Sequence, residues 1–304
     1  MQTFTLEAGD DSTIHGLRWL PEGAPRGVVV ISHGMSEYAE RYAPLAASLA
    51  AAGYAVYAHD HRGHGRYAPV PGWFAARGGW ELVVDDVRCV VDYARSQHDC
   101  PLVLYGHSMG SFIARSFLLR YGQRLDGLVL SATGYRQHWL ARLMRQVARL
   151  AGRLGGATSP SPFMTSLVFG SFNLGFVPAR TRLDWLSRDA AAVDAYIADP
   201  LCGHHPTPQL WQDLFGGIIV MEAGEADGKS LPAACPVWLQ AGSRDPVSLG
   251  KLGLGQLAAR YRRAGLRDVT VTVYRGGRHE MHNETNRGEF EADLLAWLNR
   301  VTSR

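Results

Sequence analysis

The chain reads as an α/β protein with a mostly parallel central sheet, helices on both faces and a mainly helical insertion. Three observations predict this. Short β-branched apolar runs such as Gly27–Ser32 recur, each continuous and not alternating, as in strands covered on both faces. Stretches with helical patterning separate them, and strands alternating with helices imply a parallel sheet. One long segment, residues 133–228, breaks the alternation.

Taken in order, Phe4–Glu7 and Ile14–Leu20 flank Gly9-Asp10-Asp11 and predict an opening hairpin. Buried-strand runs follow at Gly27–Ser32, Tyr54–Ala58, Pro101–Tyr105, Leu128–Ser131, Val237–Gln240 and Val269–Tyr274. Helices are expected at Tyr42–Ala52, Trp80–Gln97, Ser108–Tyr121, Gly255–Ala264 and Arg287–Val301. Within the insertion the one strand-like run is Ile218–Val220. The insertion holds five of the ten Phe (Phe163, Phe169, Phe172, Phe176, Phe215) and three of the eight Trp (Trp139, Trp185, Trp211), as a cap over an apolar pocket would. A second lobe with its own core would share that composition. Residues 1–132 and 229–304 are thus expected to form the core, and 133–228 the cap.

With 304 residues, 46% of them hydrophobic and 19% charged, the chain can bury a large core. A formal charge of +3 is too small for bulk nucleic-acid binding. Cys89, Cys100, Cys202 and Cys235 are far apart, with no C-x-x-C pair, which favours a reducing, cytoplasmic compartment over a disulfide framework. The first residues lack a basic segment followed by an apolar one, so no signal peptide is expected. No apolar run approaches the roughly 20 residues that cross a bilayer.

The chemistry centres on Gly106-His107-Ser108-Met109-Gly110, a G-x-S-x-G string. Alone it is weak, but a buried strand runs into it and a helix pattern leaves it. That is the context of a nucleophile held on a strained strand-to-helix turn in the α/β-hydrolase fold. A serine nucleophile needs a base, and the base an orienting carboxylate, in the order Ser, acid, His. Asp245 follows the strand Val237–Gln240 and His279 follows Val269–Tyr274, so all three fall on one rim of the sheet. His282 is the rival base, set closer to the last helix. Asp227 is the rival acid, expected as solvated loop charge in a Gly-rich stretch. The backbone N–H groups of Met109 and Met35 are the expected oxyanion donors, at the helix start and after the third strand.

These residues resemble the monoacylglycerol lipase and lysophospholipase group of serine α/β-hydrolases. The segment His33–Tyr42 is similar to that group's oxyanion loop, and Asp60-His61-Arg62-Gly63-His64-Gly65 to its D-x-R-G-H-G turn. Arg278-His279-Glu280 with Asn283-Glu284 resembles its histidine loop, and Phe172-Asn173, Asp184–Asp189 and Asp199–Cys202 resemble bacterial cap segments. The resemblance implies Ser108, Asp245 and His279 as triad, Met35 and Met109 as oxyanion donors, and acyl esters with one fatty chain as substrates. Where the group usually has a Ser after the last Gly of its turn, this chain has Arg66-Tyr67.

Two other classes compete. His59, Asp60, His61 and His64 could suggest a metal-dependent hydrolase, although further ligands at zinc spacing are not evident. A non-catalytic binding protein on the same fold is the third. The serine chemistry itself needs no cofactor or metal. The insertion also has no Asp or Glu between Asp126 and Asp184, while Arg136, Arg142, Arg145, Arg149, Arg153, Arg180 and Arg182 fall there. Arg142–Arg153 recur at helical spacing beside Leu140, Leu143, Met144, Val147, Leu150, Ala151 and Leu154. The ordinary expectation is a cap helix packed by its Leu side with a solvated Arg face. The sharper one is peripheral contact with an anionic membrane surface, or an anionic head group.

Overall fold

The computed structural model describes residues 1–135 and 138–303; of the arginines above, Arg136 lies outside the described residues. The strands are β1 (Gln2–Glu7), β2 (Thr13–Trp19), β3 (Gly27–Ser32), β4 (Tyr54–His59), β5 (Leu102–His107), β6 (Gly127–Ser131), β7 (Val237–Gly242) and β8 (Val269–Tyr274). They form one sheet in the order β1-β2-β4-β3-β5-β6-β7-β8. The hairpin β1–β2 and its seam with β4 are antiparallel, and every later pairing is parallel.

The helices are α1 (Ala43–Ala51), α2 (Gly79–Gln97), α3 (Met109–Tyr121), α4 (His138–Gly155), α5 (Pro162–Phe172), α6 (Ala190–Ala198), α7 (Pro208–Asp227), α8 (Gly250–Arg263) and α9 (Arg287–Thr302). Successive side chains of a strand point to opposite faces. Val28 and Val30 therefore enter one apolar cluster with Val87, Ile113 and Leu257 from α2, α3 and α8. Val29 and Ile31 enter the other, with Leu45 and Leu49 from α1 and Phe290 and Leu294 from α9. Both faces are thus covered, which is why the strand runs are continuous.

This is an α/β-hydrolase fold, with α4–α7 inserted between β6 and β7 as a helical cap. Ile218–Val220 is not a strand but part of α7. Helical rotation buries Ile218 and exposes Val220, so three adjacent apolar residues do not share an environment. Asp227 ends that same helix before a left-handed Gly228, so the Gly-rich stretch is helical and not a loop. Likewise α8 begins at Gly250, ahead of the expected start. Its Gly253 serves close packing, since a Cβ there would lie 2.0 Å from the Ser248 carbonyl oxygen.

The largest departure concerns α4. It packs on α7 through small residues, with Ala141 and Ala148 buried and Met144, Val147 and Ala151 partly so. Leu140, Leu143, Leu150 and Leu154 face outward with Trp139, and Leu154 is 81% exposed. The helix is therefore not packed by its Leu side. At 100° per residue the exposed leucines form a stripe separate from Arg142, Arg149 and Arg153. Among the described residues, no helix is long and apolar enough to cross a membrane.

Candidate active site

Ser108 joins β5 to α3 with φ 52° and ψ −119°, a left-handed φ that a non-glycine residue adopts only under constraint. The two motif glycines supply that constraint. A Cβ on Gly110 would lie 2.0 Å from the Ser32 carbonyl oxygen, and one on Gly106 would lie 2.5 Å from the Gly110 carbonyl oxygen. Only bare backbone lets α3 start this close to β3. The Ser108 N–H donates to the Ser131 carbonyl across to β6 (2.9 Å), which anchors the turn.

Asp245 and His279 arrive from the loops after β7 and β8. Their close approach rests on Gly242, where a Cβ would collide with the Gly277 backbone at 2.2 Å. His279 Nδ1 lies 2.7 Å from Asp245 Oδ1, and both side chains are buried. The same carboxylate accepts from the backbone N–H groups of Val247 and Ser248, each at 3.1 Å. Four acceptor lone pairs meeting three donors leave the carboxylate little freedom, so it can orient one imidazole tautomer. The ring of His279 packs on Trp185 of the cap, centroids 4.8 Å apart.

Met35 and Met109 flank this point. Met109 opens α3, where the first N–H groups have no intrahelical acceptor. Among the described residues neither its N–H nor that of Met35 donates to a protein acceptor. A cavity of about 570 Å³ opens above, with Ser108, His279, Gly34 and Met35 on its floor and Phe169, Phe172, Leu174 and Val177 of the cap on its wall. That size and lining suit an apolar ligand with a few fixed polar contacts.

The structure therefore places His279 on Asp245, with Ser108 and His279 both on the cavity floor. The rivals lie elsewhere. His282 sits in a short 3-10 turn, buried and stacked on Tyr42 (4.7 Å), and burial holds its pKa down at about 4. Asp227 is exposed and ion-paired to Lys229. His59, His61 and His64 are buried; burial holds His59 at about 4 and His64 at about 3, and all three stay neutral. Among the described residues no three His, Cys, Asp or Glu side chains form a set that could hold a metal ion.

Sequence reasoning missed the frame around the site. Glu37 accepts from the Gly34 N–H (2.6 Å) and from the Tyr42 hydroxyl (2.9 Å), and Arg41 bridges Glu37 to Glu280. Burial pushes the Glu37 carboxyl up, with the Glu280 charge adding to it; burial also opposes Glu280 ionisation, but Arg41 outweighs it and brings Glu280 to about 2. Glu284, fully buried, accepts from the backbone N–H groups of Arg188 and Arg278. The Arg41-Tyr42 and Glu280–Glu284 strings were visible but carried no pairing signal, being 239 residues apart in the Arg41–Glu280 case.

Comparison with known proteins shows the family to which the chain belongs. The family model described as serine aminopeptidase, S33, matches residues 23–286. A monoacylglycerol lipase of Mycolicibacterium smegmatis is 31% identical, over 92% of this chain and 90% of that protein. Human monoglyceride lipase is 28% identical, over 88% and 79%. Among solved structures, a thermostable carboxyl esterase from Bacillus coagulans superposes with a TM-score of 0.90 at 25% identity, covering 99% of this chain and 98% of that one. A lipase in its open form gives 0.84 at 30% identity, covering 100% and 99%. This chain belongs to the S33 family of serine hydrolases, in its monoacylglycerol lipase and lysophospholipase-like group, and by that membership is a carboxylic ester hydrolase of the lipase and esterase class.

Proposed function

We propose that the chain hydrolyses single-chain acyl esters, monoacylglycerol or lysophospholipid, through Ser108, His279 and Asp245. The observation that carries this reading is the Asp245–His279 contact beside a strained Ser108 under an apolar-walled cavity. In this mechanism His279 takes the Ser108 proton as the hydroxyl attacks the ester carbonyl, and Asp245 stabilises the resulting imidazolium. The tetrahedral oxyanion lies against the N–H groups of Met35 and Met109. The alcohol leaves with the proton from His279, and water then cleaves the acyl-enzyme by the same route. No cofactor or metal takes part.

The test is Ser108→Ala with a generic aryl ester. A fall of about 10³-fold or more in kcat is expected. Retained turnover, or turnover abolished by a chelator, returns the chain to a metal-dependent hydrolase. If the wild type turns over no ester at all, it is a binding protein. The likeness to the B. coagulans carboxyl esterase favours a second reading, a short-chain carboxylesterase. A kinetic panel of monoacylglycerols and lysophosphatidyl lipids over several chain lengths decides between them.

The cap carries the remaining part of the proposal, contact with an anionic membrane. Besides the α4 leucines, Phe163 and Leu167 of α5 and the rim residues Leu174 and Val177 are exposed, and the last two border the cavity. An exposed apolar stripe flanked by Arg142, Arg149 and Arg153, together with exposed Leu174 and Val177 at the cavity, suits a lipid interface that delivers an acyl chain. Salt-sensitive binding to anionic vesicles is expected. Binding unchanged after those three arginines become Gln sinks the idea.

A further inference from the structure

Met35 is bracketed by two residues that are pinned from different directions. On one side the Gly34 N–H is held by Glu37. On the other stands Ser36, fully buried, with φ 57°. A side chain in the left-handed region costs about 1 kcal/mol or more, so surrounding contacts must impose it. Those contacts all come from the rear of the cap. The Ser36 carbonyl accepts from the Tyr196 hydroxyl of α6 (2.8 Å) and from the Gly203 N–H (2.9 Å), and its hydroxyl donates to the His204 carbonyl (2.8 Å). Tyr196 is itself clamped, because Arg41 lies over its ring at 4.7 Å and the Gly203 N–H reaches its hydroxyl.

We infer that the rear of the cap is a working part of the oxyanion site, with Tyr196, Gly203 and His204 positioning the Met35 N–H through Ser36. The orientation of that N–H follows from the backbone torsions of residues 34–36, and the cap sets the last of them. Ser36 touches no substrate, so it is a positioning residue. A preorganised donor is valuable in proportion to how little it must move when the oxyanion forms. The inference rests on the serine mechanism proposed above.

The experiment measures kcat, KM and the affinity of an alkyl boronic acid for wild type, Ser36→Gly and Tyr196→Phe. The boronic acid adds to Ser108 and places an oxygen where the oxyanion would sit. Ser36→Gly removes the bond to His204 while relieving the torsion, so it keeps the fold even if Tyr196→Phe does not. The expected result is a fall in kcat of about tenfold, less than the 10²–10³ for a deleted donor, with KM unchanged and boronate affinity falling in step. Three results overturn the inference: kcat unchanged in Ser36→Gly, an effect confined to KM, or a loss of kcat with boronate affinity intact. Full activity in Ser108→Ala would sink the mechanism instead, so the two failures are distinguishable.

Discussion

The two halves of the cap are built on different principles. The front half, α4, α5 and the segment up to residue 183, shows water a row of large apolar side chains and has no acidic residue. The rear half, from Asp184 through α7, is fastened to the core by specific polar contacts. Tyr38 donates to Asp199 (2.8 Å), Ser187 to the Asn283 carbonyl (2.8 Å), and Thr207 to the Gly72 carbonyl (2.7 Å). Backbone pairing also joins the cap to the histidine loop, with the Glu280 N–H donating to the Leu186 carbonyl at 2.8 Å. One half presents apolar side chains to water; the other is bonded to the core and to the loop that carries His279.

Acid is the broadest way to break that division, because the buried imidazoles cluster behind the loop of residues 34–36 and the rear cap. Burial lowers His59, His64 and His282 to about 4, 3 and 4, and holds His33, His61 and His107 well below their usual range. The unfolded chain then binds more protons than the folded one below pH 6.5, so stability falls as pH falls. Between pH 7 and 5.5 each such group costs roughly 1 kcal/mol. Glu37, Asp60, Asp86 and Asp213, all raised by burial and the second and fourth of them to about 6, work in the opposite direction but are fewer. A net loss of several kcal/mol is expected from urea midpoints over that range. A midpoint that rises toward pH 5.5 would contradict it.

Next in size is Glu225. Its carboxylate pairs with Arg115 of α3 at 2.7 Å, with side chains 1% and 0% exposed, and also accepts from the Tyr261 hydroxyl. The same guanidinium donates to Thr133 Oγ1 and the Gly134 carbonyl, so it ties together both ends of the cap. Glu225→Ala leaves a buried cation unpaired and should cost about 3–5 kcal/mol in denaturant unfolding. Ala148→Leu, which overpacks the seam between α4 and α7, should cost about 1–3 kcal/mol. Smallest is Leu150→Gln with Leu154→Gln, expected within about 0.5 kcal/mol of wild type while weakening vesicle binding. A loss above 2 kcal/mol there would show that the leucine stripe is packed and not free.

The sequence revealed whatever local pattern controls. That Ser108, Asp245 and His279 would converge was legible, because each follows a buried strand and parallel strands bring their ends to one rim. Tertiary partners were not. The stripe Leu140, Leu143, Leu150, Leu154 has the period of a buried face, and only the Ala141–Ala148 contact with α7 decides which side of the helix is covered. Ile218–Val220 has strand composition, yet the Thr207 cap at its start, where the Leu210 N–H reaches the Thr207 hydroxyl, belongs to a helix. Ser36 reads as an ordinary loop serine until residues 160–168 positions downstream close on it.

The Arg115 contacts also bear on recombination between relatives. A cap exchanged at residues 133 and 228 would bring its own residue to position 225 but leave Arg115 behind in α3. Unless the incoming segment offers a carboxylate there, the chimera inherits a stranded guanidinium on α3. The unit that can be swapped is thus discontinuous, the insertion plus one arginine that precedes it in the chain.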